Sequence, residues 1–179
     1  MHLIKSGFTI LEILMVLLLV GILAAVAVTQ LTNYTAEART STIKANLQEM
    51  RQAIARQTTK MRSHCGLAAG SFPPLATILK NDTTAGEAHP CTPEQVPDAA
   101  DRRFFASRIP GNSWGPGQSN TIAGCVGAGC TDRATYNCLG EPRNRADDGW
   151  CYNVSNGDLW ANSARNDEAG STTGTEYSY

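Results

Sequence analysis

Charge is scarce in this chain. Only 17% of its 179 residues are Asp, Glu, Lys or Arg, where a typical soluble domain carries about 25%. The formal net charge is −1, from 15 basic and 16 acidic groups. No field of one sign is available to gather nucleic acid or anionic lipid. Proline is missing before Pro73 and cysteine before Cys65. A long proline-free stretch leaves a helix free to run without a kink. Phe8 and Tyr34 are the only aromatic residues before Phe72, which gives no support to a conducting aromatic ladder. There is no Gly-x-Ser-x-Gly, no His-Glu-x-x-His and no phosphate-binding loop. The sequence therefore carries no signal of a hydrolase, a zinc protease or a nucleotide-driven machine, and no enzyme is expected.

What is abundant is one apolar run. Met1–Gly7 is short and holds one basic residue, Lys5. Phe8–Val28 follows, 21 residues that are apolar or small except for Thr9 and Glu12. A helix needs about 20 such residues to cross the hydrocarbon core. Lys5 favours a cytoplasmic N-terminus. A secretory signal with a cleavage site at Ala25-Val26-Ala27 is one reading, but Ile13–Val28 is longer than the usual signal core of about 7–15 residues. A plain signal anchor is another. Neither accounts for Glu12, because a carboxylate in an apolar span costs about 3 kcal/mol on insertion scales.

Gly7-Phe8-Thr9-Ile10-Leu11-Glu12 resembles the processing site of type IV prepilins and type II secretion pseudopilins. The resemblance implies that a membrane peptidase cuts after Gly7 and methylates the new amine of Phe8. The apolar helix is kept. Glu12 becomes the fifth mature residue and pairs with the N-terminal amine of a neighbouring subunit. The physics agrees. An amine and a carboxylate, both costly in lipid, neutralise each other only when subunits meet at the right axial offset. Phe8 and Glu12 then act as a register device. One departure stands out: many pilins carry a Pro near mature position 22, which here is Thr29. Melting of the helix in a filament would have to arise at Gly21, Thr29 or Thr32.

Beyond Val28 the pattern turns amphipathic. Ile43, Leu47, Met50, Ile54 and Met61 are spaced four, three, four and seven apart, one stripe of a helix. The helix is expected to continue the span and to end near Arg62–Gly66. From Phe8 to Arg62 that is 55 residues, roughly 80 Å of helix. Residues 29–62 carry six basic groups against two acidic ones, and residues 63–179 carry eight against thirteen. The basic stem either meets acidic surfaces of neighbouring copies or is a solvated helix face. The remainder is rich in Gly, Pro, Ser, Thr and Asn. A short helix is expected in Phe72–Leu79, capped near the prolines. Asn156-Gly157 separates Gly149–Val154 from Asp158–Ala161, a hairpin signal. Asn112-Ser113-Trp114-Gly115 resembles the Pro-Trp-Gly turn of pseudopilins. The tail Ala169–Tyr179 reads as loop.

Six cysteines, Cys65, Cys91, Cys125, Cys130, Cys138 and Cys151, all fall in the part expected to face outside. That distribution favours disulfides in an oxidising compartment. Fifteen pairings are open; Cys138 to Cys151 across the sheet is the one we expect. Zinc held by Cys125, Cys130, Cys138 and Cys151 is the alternative, on irregular spacing. His64 and His89 read as solvated loop residues. Asp158, Asn166, Asp167 and Glu168 lie in C-terminal loops where similar major pseudopilins bind calcium. No EF-hand spacing is present; a solvated acidic loop is the expected reading, with calcium there as the alternative and no other cofactor.

The expectation is an α+β pilin-like chain: leader 1–7, removed; transmembrane and filament-core helix 8–28; amphipathic continuation 29–62; and an extracytoplasmic domain 63–179 with a small antiparallel sheet. The resemblance implies a subunit of a type IV pilus or of a type II secretion pseudopilus. Its partners would be copies of itself and related pilins, a prepilin peptidase, an assembly platform and a motor ATPase at the inner membrane. The rival is a membrane-tethered extracytoplasmic binding domain that never polymerises.

Overall fold

A computed structural model of the chain describes residues 9–86, 88 and 90–163. These residues contain two α-helices and one three-stranded sheet, and the chain divides into two compact units, Met1–Ala38 and Arg39–Tyr179. Helix α1 (Ile10–His64) belongs to both. No proline removes a backbone donor along it, and it is unbroken at Gly21, Thr29 and Thr32. It ends where expected. The N–H groups of Cys65 and Leu67 both turn back to Met61 O, and Gly66 takes the left-handed conformation that glycine adopts without strain.

In the second unit the stripe on α1 becomes one wall of the core. Ile43, Leu47, Met50, Ile54 and Met61 are all at most 2% exposed. The seven-residue gap in the stripe is filled by Gln57 and Thr58, which are buried as well. Helix α2 (Leu75–Lys80) starts after Pro74, whose missing N–H costs nothing at that position, and stops at Asn81 in the left-handed region. The Asn81 amide then pairs with both backbone groups of Phe105, at 2.9 and 2.8 Å.

The sheet has the order β1-β2-β3, with β1 at Ile122–Gly124, β2 at Trp150–Asn153 and β3 at Asp158–Ala161. The β2–β3 hairpin matches the Asn-Gly signal: Gly157 is left-handed and its N–H closes on Asn153 O at 2.8 Å. The sheet is not purely antiparallel, which corrects the expectation. β1 runs parallel to β2, pairing Ile122 with Trp150. Residues 125–149 make the crossover that a parallel pair requires. Alternation along the strands separates two cores. Trp150, Tyr152, Leu159 and Ala161 join the α1 stripe, while Cys151 and Trp160 pack with Cys138 on the other face, under the crossover. Arg133 from the crossover stacks 3.8 Å above the Trp160 ring and pairs with Asp158.

Tyr152 is fully buried and donates its hydroxyl to Pro73 O at 3.0 Å. Burial pushes its phenol well above the ordinary value, which is about 10. A folded-state value raised above the unfolded one gives stability that is present below about pH 10 and lost as the pH rises. The wild type should therefore weaken in alkali through this group. Tyr152→Phe should cost about 1 kcal/mol near neutrality and remove that part of the alkaline loss. Urea unfolding at about pH 8 and about pH 11, on either side of the ordinary tyrosine value, reads it. Parallel losses in both proteins would mean that another group titrates.

Candidate functional site

Helix α1 begins with a cap that pattern reading had passed over. Thr9 precedes the first helical residue, and its Oγ1 accepts the N–H of Glu12 at 3.3 Å. Thr9-x-x-Glu12 has the spacing of a capping box, in which a hydroxyl satisfies one orphan donor of the first turn. Glu12 is thereby placed in that turn, where the helix dipole favours a negative charge. It is the only charged residue between Thr9 and Ala36.

Around Glu12 the surface is apolar. Every large apolar side chain from Ile10 to Val28 is at least 49% exposed, and Ile10 reaches 87%. Apolar residues lie on all sides of this stretch, the pattern of a helix meant to be surrounded by lipid or by other helices. Ile10–Val28 is long and apolar enough to cross a membrane. A signal sequence near an N-terminus passes the same test. Gly7 and Phe8, the expected processing site, lie outside the described residues, as do His89, Asn166, Asp167, Glu168 and the 169–179 tail.

Three of the six basic residues of the stem, Arg51, Lys60 and Arg62, have partners in the second unit. Lys60 Nζ lies 2.6 Å from Asp101 Oδ1, and this cation holds the Asp101 carboxyl below its usual range. Arg51 Nε donates to Leu159 O at 2.8 Å, with Asp158 3.9 Å from its guanidinium. Arg62 donates to Ser71 O and lies over Phe72. These three tie α1 to the strand and loops around it.

All six cysteines are paired: Cys65–Cys91, Cys125–Cys130 and Cys138–Cys151. The Cys138–Cys151 expectation is met, and no thiol remains for the zinc alternative. Among the described residues no group of three His, Cys, Asp or Glu is arranged to hold a metal. Asp158, the described member of the calcium candidates, faces the two guanidinium groups of Arg51 and Arg133, which disfavours a cation there. Among the described residues His64 bonds locally, to Ser63 Oγ and Lys60 O. Asp148, which the sequence did not single out, accepts the N–H groups of Gly117, Ser119 and Gly149. It holds the loop that follows the Trp114 turn. That turn closes through Gly115 N to Asn112 O.

Comparison with known proteins agrees with the exposed apolar helix. Three matches are versions of Type IV major fimbrial protein FimA from Dichelobacter nodosus, each 40% identical over 50 residues. Over those residues the chain resembles the type IV pilins. The match takes in 28% of this chain and 31 to 32% of each relative, so the chain spans about a third of the length of the curated relatives it matches. No family model matches it, and no solved structure does so significantly. The chain combines an apolar N-terminal helix, a second helix, a small mixed sheet and disulfides in an α+β, pilin-like fold.

Proposed function

We propose that the chain is a structural subunit of a type IV pilus-like filament, assembled from the inner membrane. The observation that carries this reading is the exposed apolar helix Ile10–Val28 with its single carboxylate at Glu12. Residues 1–7 are the leader that a prepilin peptidase removes after Gly7, and the new amine at Phe8 is methylated. Residues 8–28 then anchor the subunit in the membrane, with residues 29–62 and the domain at 63–179 outside the cytoplasm. An assembly platform driven by a motor ATPase lifts the subunit from the bilayer. Its apolar helix exchanges lipid for equivalent helices. That exchange gains little hydrophobic free energy, so packing and the Phe8 amine–Glu12 carboxylate pair must supply specificity. A type II secretion pseudopilus would use the same steps; the fimbrial relatives favour the pilus.

The intact mass of the chain purified from its native membrane tests the proposal. The expected species starts at Phe8 and carries one added methyl group. A chain starting after Ala27 would overturn the assembly mechanism, because both Phe8 and Glu12 would be gone.

A further inference from the structure

Filament assembly makes no use of a cavity of about 230 Å³ in the second unit, lined by the last turns of α1 and by Met61, Cys91, Val96 and Pro97. Two more of its lining side chains, Gln57 and Thr83, are only 6% and 2% exposed. Gln57 Oε1 and Thr83 Oγ1 find no hydrogen-bond partner among the described residues. The Gln57 amide cannot be turned over to cure this. Its Nε2 donates to Asp101 O at 3.0 Å and to Arg103 O, and the reversed amide would set an oxygen against two carbonyls. Thr83 N donates to Arg102 O at 3.0 Å, so both residues are anchored to the same three-residue segment.

Buried polar atoms in native proteins are seldom left bare. One water needs only about 10–15 Å³ of such space, and this cavity is an order of magnitude larger. It is smaller than the roughly 300–1,000 Å³ of sites for drug-sized ligands. Its cation at the rim, Lys60, is already neutralised by Asp101, which disfavours an anion. In one cavity with a fixed amide oxygen and a free hydroxyl, the complement is a hydroxyl-bearing ligand, which donates to the first and exchanges a bond with the second. The Met61, Val96 and Pro97 surfaces suit C–H groups. We propose that this cavity binds a small neutral polyol, no larger than a monosaccharide, with its hydroxyls held by Gln57 Oε1 and Thr83 Oγ1.

The test is a titration of the full chain in detergent micelles with glucose and, separately, with glycerol, followed by amide NMR. Saturable shifts of the Gln57 side-chain amide are expected. A response to glucose marks a sugar site, and a response to glycerol alone marks a site for simple polyols; either supports the proposal. Thr83→Val should weaken binding about tenfold, the equivalent of ~1.4 kcal/mol. Its unfolding midpoint should stay level or rise, because Thr83 Oγ1 gives up no internal bond. Thr83→Ser should retain binding. The proposal is overturned if neither titrant moves the Gln57 amide saturably, or if Thr83→Val binds as the wild type does.

Discussion

Glu12→Gln is expected to abolish filaments while leaving the subunit in the membrane. The substitution separates two roles that one residue holds. As the third residue of α1, after Thr9, Glu12 sits where a capping box accepts Glu or Gln alike. As the lone charge of the apolar stretch it can neutralise an amine, and Gln cannot. If helix capping were its whole contribution, the variant would assemble normally. If charge pairing sets the register, filament yield should fall by more than about tenfold, since ~1.4 kcal/mol lost at each addition is already a factor of ten per step. Insertion should not suffer, because removing a carboxylate from lipid relieves a cost of about 3 kcal/mol. Electron microscopy of sheared filaments, with membrane fractionation of the same cells, reads both quantities. Normal filaments from Glu12→Gln would sink the register argument.

A large loss of stability is expected from removing the Cys138–Cys151 bridge. Both cysteines are fully buried, and with Trp160 they form the core on the outer face of the sheet. The bridge closes a 13-residue separation, worth about 3 kcal/mol in chain entropy. Loss of the two buried sulfurs adds to that. Against a total of about 5–15 kcal/mol for a domain, the Cys138→Ala/Cys151→Ala double variant should be marginal. Cys125→Ala/Cys130→Ala releases a separation of only five and should cost about 2 kcal/mol. Urea unfolding followed by tryptophan fluorescence compares them. Equal midpoints would mean that the crossover is held in place by its polar contacts alone.

Local signals were legible in the sequence, and long-range ones were not. The stripe from Ile43 to Met61 showed itself because helical spacing repeats every turn. The hairpin showed itself through Asn156-Gly157, because a left-handed turn needs such a residue. Strand β1 did not. Ile122-Ala123-Gly124 is three residues long, runs into a glycine-rich segment, and pairs in parallel across 25 intervening residues, so nothing local announces it. Gln57 was invisible for a related reason. Its burial goes with bonds to two backbone carbonyls more than forty positions away, those of Asp101 and Arg103, and its place in the stripe looked like a gap. At the N-terminus, Glu12 stood out by its cost in an apolar run. Thr9, whose capping role needed only the spacing to Glu12, was overshadowed by the stronger processing signal.

The Cys65–Cys91 bridge begins one residue after α1 ends. A subunit in a fibre bears tension, and a covalent crosslink decides how much chain that tension can draw out. With this bridge closed, the 25 residues between Cys65 and Cys91 cannot be pulled straight. About 90 Å of slack, at ~3.6 Å per residue, stays locked inside the loop. Reduced, the same subunit would yield that length before its backbone went taut. In the proposed filament the bridge would act as a strain limiter, making a loop-rich domain behave under load as a much shorter tether.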